Sequence, residues 1–216
     1  MAKNASRRKA DKTQSFYDRI ADVHNVALKI NGYRQSVAKY LRSLNLPLNE
    51  NSNVLDAGSG TGIVTLGFAD TGLPHRHVVS FDLSHKSLSV ARNEFKGKRG
   101  TGNADASLVQ GNVLHLPFDD GTFDLVLTCG VLEYVDLNLG LREIARVLAP
   151  KGKLVFIPVK PSLVGSVLEF LYKFRIHPVE SVREISSQYF KIVGNHKFPL
   201  NEPIAWSKTI FLLEKK

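Results

Sequence analysis

Cysteine is almost missing: Cys129 is the one thiol among 216 residues. No internal disulfide can form, and nothing demands an oxidising compartment. No apolar run reaches the length of a membrane span; the longest, "KLVFIPV" at 153–159, reads as a buried strand. The basic start "MAKNASRRKADK" leads into the polar "TQSFYDRIAD" rather than an apolar stretch, so no secretory leader is expected. Together these absences leave the cytoplasm as the default. Internal repeats and low-complexity linkers are missing too, which predicts a single domain over 1–216. No set of residues has metal-ligand spacing, so no metal site is expected.

What is present is an ordinary core composition, 43% apolar and 23% charged, enough to bury a sizeable interior. The formal charge is +9. Part of it is concentrated at the start, where Lys3, Arg7, Arg8, Lys9 and Lys12 face only Asp11. Such a tail reads as a solubilising terminus over 1–13, with peripheral contact to an anionic membrane as its functional alternative. The remaining positive charge is scattered, without the aromatic-interleaved basic run that grips single strands, so nucleic acid is not an expected partner.

Residues 14–30 carry apolar side chains at helical spacing, with Asn31-Gly32 as a stop. Tyr33, Val37, Tyr40, Leu41 and Leu44 predict a second helix, ended by Pro47, so that 14–46 forms an N-terminal helical segment. From Asn53 strand and helix patterns alternate. Strands are predicted over 53–57, 77–82, 106–110, 123–129 and 152–158, and helices over 62–70, 84–96 and 138–147. Alternation of this kind implies an α/β fold, a doubly wound parallel sheet with helices on both faces. "YFKIVGNHKF" and "KTIFLLEKK" read as two tail strands too close in sequence for a crossover helix, hence a C-terminal antiparallel hairpin. Before them, 162–176 predicts a short helix with a broad apolar face from Leu163, Val164, Val167, Leu168, Phe170, Leu171 and Phe174. It reads either as core or as a lid over the site, with Tyr17 and Tyr33-Arg34 opposite.

The chemistry starts at "NVLDAGSGTG", Asn53 to Gly62. A dinucleotide loop has a third glycine where this chain has Ile63. Asp56 stands at the mouth of the loop, where a pyrophosphate would want no carboxylate. Both features argue against a nicotinamide cofactor and for a ligand bearing positive charge. Asp82 ends the second strand beside the loop, placed to accept from two ribose hydroxyls or to cap the next helix.

In order and spacing, "VLDAGSGTG", "SFDLS", "GNVLHLPFDDGTFDLVL", "VLEYV" and "LREIARVLAPKGKLVF" resemble the motifs of class I S-adenosylmethionine-dependent methyltransferases of the type 11 kind, nearest the quinone, sterol and other small-molecule subgroup. The resemblance covers roughly 50–160, which would be the cofactor-binding core, with 161–216 supplying a lid helix and the last strands. It implies a seven-stranded sheet whose tail hairpin fits that family, and S-adenosylmethionine as cofactor. It also implies roles. Gly58, Ser59, Gly60 and Gly62 would wrap the methionine and ribose, and Asp56 would support the loop and the amino end. Asp82 would hold the ribose, with Leu83 on one face of adenine. Asn112 and Val113 would meet the adenine edge, position 112 departing from the family's usual Asp. The carbonyl of Cys129 would accept from the methionine ammonium.

Glu133 and Tyr134 follow the fourth strand and are the candidates for the acceptor pocket and for any base. The Cys129 thiol lacks a His–Asp partner pattern and reads as packing, His115 as a turn residue, and Asp119-Asp120-Gly121 as a turn. "TCGVLEY" stands where enzymes methylating base amino groups carry an Asn/Asp-Pro-Pro-Tyr stretch, and one cysteine is too few for arsenic methylation. The expected acceptor is a small molecule, apolar or lipid-like. The alternatives are a protein side chain, or a regulatory protein that binds the cofactor without turnover.

Overall fold

The computed structural model describes residues 32–96 and 106–216. The helix expected over 14–30, Tyr17 and the basic tail lie outside the described residues. Within them run α1 (Tyr33–Ser43), β1 (Asn53–Ala57), α2 (Ile63–Ala69), β2 (His77–Asp82) and α3 (His85–Lys96), then β3 (Ala106–Gln110) and β4 (Phe123–Cys129). There follow α4 (Leu137–Val147), β5 (Leu148–Ile157), α5 (Leu163–Tyr172), α6 (Val179–Tyr189), β6 (Phe190–His196) and β7 (Ile210–Lys215). The strands form one seven-stranded sheet in the order β3-β2-β1-β4-β5-β7-β6. β1 to β5 pair in parallel, and β7 runs antiparallel to both β5 and β6.

Both faces of the sheet are covered, so its central strands are mostly apolar rather than alternating. Side-chain alternation deals them to two cores. Leu125, Leu127, Val155 and Ile157 pack with Val37 and Leu41 of α1 and Val64 and Phe68 of α2. Val126, Leu154 and Phe156 pack on the other side with Leu141 and Ile144 of α4 and with Phe211. Helix α1 joins its core because Tyr33, Val37 and Leu41 fall four apart on one stripe.

Two expectations need correction. β5 starts at Leu148, not 152, because a register shift against β4 between Phe123 and Leu125 lets the chain pair early, with Lys151 absorbing the irregularity at φ 63°. Helix α6 was not anticipated: its buried positions are Val182 and Ser186, and the serine hides the stripe.

Strand order reverses at β1, whose neighbours are β2 on one side and β4 on the other. The carboxyl edge at such a switch point is where open α/β sheets bind ligands.

Candidate functional site

The chain leaves β1 through Gly58, Gly60 and Gly62, all left-handed, at φ 81°, 54° and 82°. The amides of Gly58 and Ser59 both donate to the carbonyl of Phe81, at 2.7 and 2.9 Å, which ties the loop to the end of β2. The glycines differ in what surrounds them. A Cβ at Gly58 would stand 2.1 Å from Val131 Cγ2, and one at Gly62 would stand 2.7 Å from Phe95. A Cβ at Gly60 would meet nothing within 4 Å. Gly58 and Gly62 are therefore glycine for packing, while Gly60 turns its bare face to open space.

Asp56 is buried beneath this loop. Its Oδ2 accepts from Thr65 Oγ1 at 2.6 Å, and the same hydroxyl lies 2.6 Å from Ser80 Oγ. Asp56 Oδ1 is buried and has no partner, as are Ser59 Oγ and Thr61 Oγ1 in the loop itself. Burial pushes the Asp56 carboxyl up to about 7, with the Thr65 hydrogen bond opposing and the nearby Asp82 charge adding to the rise. Unpartnered buried oxygens are uncommon and costly in native folds. Three of them around one loop leave hydrogen-bonding capacity for a polar ligand.

Asp82 ties the glycine loop to the start of the next helix. Its Oδ2 accepts from the amide of Gly60 and its Oδ1 from the amide of Ser84, each at 2.8 Å. It leads into α3, which Ser84 caps through the Ser87 amide at 3.0 Å, and it also pins the glycine loop. Leu83 is half-buried beside it, its carbonyl accepting from Gln110 Nε2 at 3.1 Å. Asn112 Oδ1 accepts from the Leu114 amide at 3.0 Å, so the side-chain oxygen expected at an adenine edge already closes a turn. Val113 behind it is buried. The stretch 116–120 is clamped from α4: Glu143 accepts from the Leu116 amide, and Arg146 donates to the carbonyls of Leu116 and Phe118 and to Asp120.

On the β4 side, Cys129 Sγ lies 3.4 Å from the Tyr33 hydroxyl. Burial pushes the Cys129 thiol up, so it stays protonated, as packing requires and a nucleophile does not. Glu133 is only 3% exposed; its Oε1 accepts from the Val159 amide at 2.6 Å, and its Oε2 is buried without a partner. Tyr134 packs edge-on against Phe174, ring centroids 5.5 Å apart. Arg34, read as facing the site, is instead paired with Asp70 at the end of α2. His115 is exposed on its turn.

Thr61, Thr65 and Ser80 were not singled out in the sequence, because hydroxyl residues in a strand or early helix carry no spacing signature. Lys208 was also missed. It immediately precedes the antiparallel β7, and that reversal brings it back to the carboxyl edge of the parallel strands.

Residues 55–156 match the family model described as a methyltransferase domain. A demethylmenaquinone methyltransferase of Shouchella clausii is 30% identical over 182 residues, covering 83% of this chain and 75% of that protein. A Methanocaldococcus jannaschii protein is 42% identical over 108 residues, 46% of this chain, and the chain spans about half that relative's length (47%). Among solved structures, the complex between the Haloferax volcanii Trm112 methyltransferase activator and a methyltransferase contains a similar chain, with a TM-score of 0.75 at 19% identity, covering 92% of this chain and 97% of that one. The chain belongs to the class I S-adenosylmethionine-dependent methyltransferases. The three unpartnered oxygens and the open face of Gly60 fit that cofactor, which carries hydroxyls and positive charge but no phosphate.

The glycines give a paired prediction. Gly58→Ala drives a Cβ into Val131 and strains a left-handed residue, at a cost of roughly 3 kcal/mol. Gly60→Ala carries only the backbone strain, about 1 kcal/mol, yet places a methyl on the open face. Thermal unfolding is expected to show a large drop for the first and a small one for the second. Calorimetry is expected to show at least a tenfold loss of S-adenosylhomocysteine affinity for Gly60→Ala. Unchanged affinity would mean the open face is not the cofactor's.

Proposed function

We propose that the protein methylates a small, apolar or lipid-like acceptor at the edge formed by β4, β5 and α5. The observation that carries this reading is α5. Its side chains Leu163, Val167, Phe170 and Leu171 are exposed, Leu163 and Phe170 at 90% and 84%, and only Gly165 of the helix is buried. A run of large apolar side chains left in water on one short helix marks a surface that meets apolar material. The Tyr134–Phe174 pair and the amide of Arg175, which donates to the Glu133 carbonyl, tie the segment after α5 to the candidate acceptor residues. The demethylmenaquinone methyltransferase among the relatives supports the same acceptor class.

S-adenosylmethionine, when bound, supplies a methyl group already activated by its sulfonium. The protein's task is then alignment and exclusion of water. Gly58, Ser59, Gly60 and Gly62 wrap the methionine and ribose, and Asp56 turns its unpartnered oxygen toward the amino end. Asp82 accepts from the ribose hydroxyls. Leu83 and Val113 flank adenine, Asn112 lies at its edge, and the Cys129 carbonyl takes the ammonium. Glu133 Oε2 is the available base where the acceptor must lose a proton, and Tyr134 lines the pocket. The basic residues 1–12 add peripheral attraction to an anionic membrane, about 1 kcal/mol per residue near the surface.

An acceptor screen read by S-adenosylhomocysteine formation tests the reading. Prenylated quinols and other apolar acceptors are expected to turn over, and polar metabolites or peptides are not. Changing Phe170 and Phe174 both to Ser is expected to cut that turnover at least tenfold with cofactor affinity intact. Removing residues 1–12 is expected to weaken binding to anionic vesicles. A polar metabolite or a protein side chain as sole acceptor would refute the acceptor class.

A further inference from the structure

Lys208 is 8% exposed, yet among the described residues its ammonium has no ion pair or hydrogen bond. Its backbone is held firmly: its amide donates to the Ile204 carbonyl at 3.0 Å, and it bridges Val159 across from β5. The ammonium runs beneath the loop after β4, where a Cβ on Gly130 would stand 2.7 Å from Nζ. Val159 is also the residue whose amide engages Glu133 Oε1. The Lys208 ammonium, beside Gly130, and the unpartnered Glu133 Oε2 thus both belong to the loop region after β4, and they form no ion pair with each other.

Most of the Lys208 side chain is buried, yet among the described residues its ammonium is spent on no carboxylate or carbonyl of the fold, which leaves it available to an anion. We infer that Lys208 anchors an anionic oxygen of a bound ligand, with Glu133 Oε2 accepting a hydrogen bond from a donor on the same ligand. Two groups at this edge have that chemistry: the aminoacyl end of the cofactor, and an acceptor bearing an ionised hydroxyl. The inference rests on reading the β4–β5 edge as the seat of methyl transfer.

Lys208→Met keeps the length and removes the charge. In the full-length protein it is expected to fold as the wild type does while weakening anion binding at least tenfold. Three probes separate the sources. S-adenosylhomocysteine carries the aminoacyl end, 5′-methylthioadenosine lacks it, and 4-nitrophenol, added at an acidic pH where it is un-ionised in free solution, reports ionisation on the protein through its yellow phenolate band. Weaker S-adenosylhomocysteine binding with unchanged 5′-methylthioadenosine binding assigns Lys208 to the cofactor carboxylate. Unchanged S-adenosylhomocysteine binding, with a phenolate band seen in the wild type and lost in the variant, assigns it to the acceptor. Both ligands unaffected and no phenolate band in either protein would overturn the inference. Lys208→Gln, neutral but polar, is the second variant should the methionine fail to fold, and the same readings apply. Wild-type protein that binds no S-adenosylhomocysteine would instead sink the reading of the edge itself.

Discussion

Asp56→Asn is expected to make the ligand-free protein more stable at pH 8 while costing it the cofactor. The carboxyl is buried, Thr65 satisfies one oxygen, and the other has no partner. Burial raises its folded pKa from 3.8 to about 7. The folded state therefore binds a proton that the unfolded state has released between those two values. Where the native state holds more protons, stability falls as pH rises. The ligand-free protein should thus lose stability from about pH 4 to about pH 7 and stay lower above it. A shift of about 3 units corresponds to roughly 4 kcal/mol. Asparagine removes that charge cost, keeps an acceptor for Thr65, and leaves an amide unpartnered at about 1–2 kcal/mol. The net gain at pH 8 is then about 2 kcal/mol, or roughly 6 °C in thermal midpoint for a chain of this size. At pH 4 the two proteins should differ little, or the variant should be slightly worse. The ligand reverses the ranking. Its ammonium needs the ionised carboxylate, so the variant is expected to bind S-adenosylhomocysteine roughly a hundredfold more weakly, about 3 kcal/mol. Wild-type affinity should itself weaken as pH falls below about 7. Midpoints measured at pH 4 and pH 8, with and without S-adenosylhomocysteine, carry the test. Equal pH dependence in the two proteins would mean the Asp56 charge is not held at a cost.

That cost explains why a charged residue belongs at the end of a buried strand, and it was visible in the sequence only as an oddity. Asp56 before a glycine loop argued against a phosphate, but its unpartnered oxygen depends on Thr65 and Ser80, which arrive from another helix and another strand. The strands themselves were legible. β1, β2 and β4 are short, mostly apolar runs bounded by turn residues, and such runs read well from sequence. β5 was misread at its start because pairing through an irregularity is a property of two chains side by side. The apolar face over 162–176 was visible as a pattern, but whether it faced core or solvent was not. Amphipathic counting cannot separate a helix packed on a sheet from one that leaves its large apolar side chains in solvent, and α5 proves to be the second kind. Lys208 had no signal at all, since its position follows from the direction of β7 alone.

Asp82→Ala is expected to damage the site twice over, and the two losses can be separated. The carboxylate accepts from the amides of Gly60 and Ser84, so alanine leaves both donors without their partner. Hydrogen bonds to a charged group are worth about 1.5–3 kcal/mol each when protected. Asp82 is half-buried, so a total near 2 kcal/mol is the reasonable loss of stability, and the midpoint should fall by several degrees. The loop, freed from Asp82 at Gly60, no longer presents its open face in one place, and the ribose loses its acceptors. Affinity for S-adenosylhomocysteine is expected to fall about a hundredfold or more, roughly 3 kcal/mol. Asp82→Asn divides the effects. Its remaining oxygen can still accept from the Gly60 amide and hold the loop, so the midpoint should stay within about 2 °C of wild type. Its amide cannot accept from the ribose, so affinity should still drop, by roughly tenfold. Calorimetry and thermal unfolding on the three proteins give the answer. If alanine lowers the midpoint but leaves affinity within threefold, Asp82 is a cap and a tether and nothing more. If asparagine matches wild type in both, the charge is not what the ribose sees.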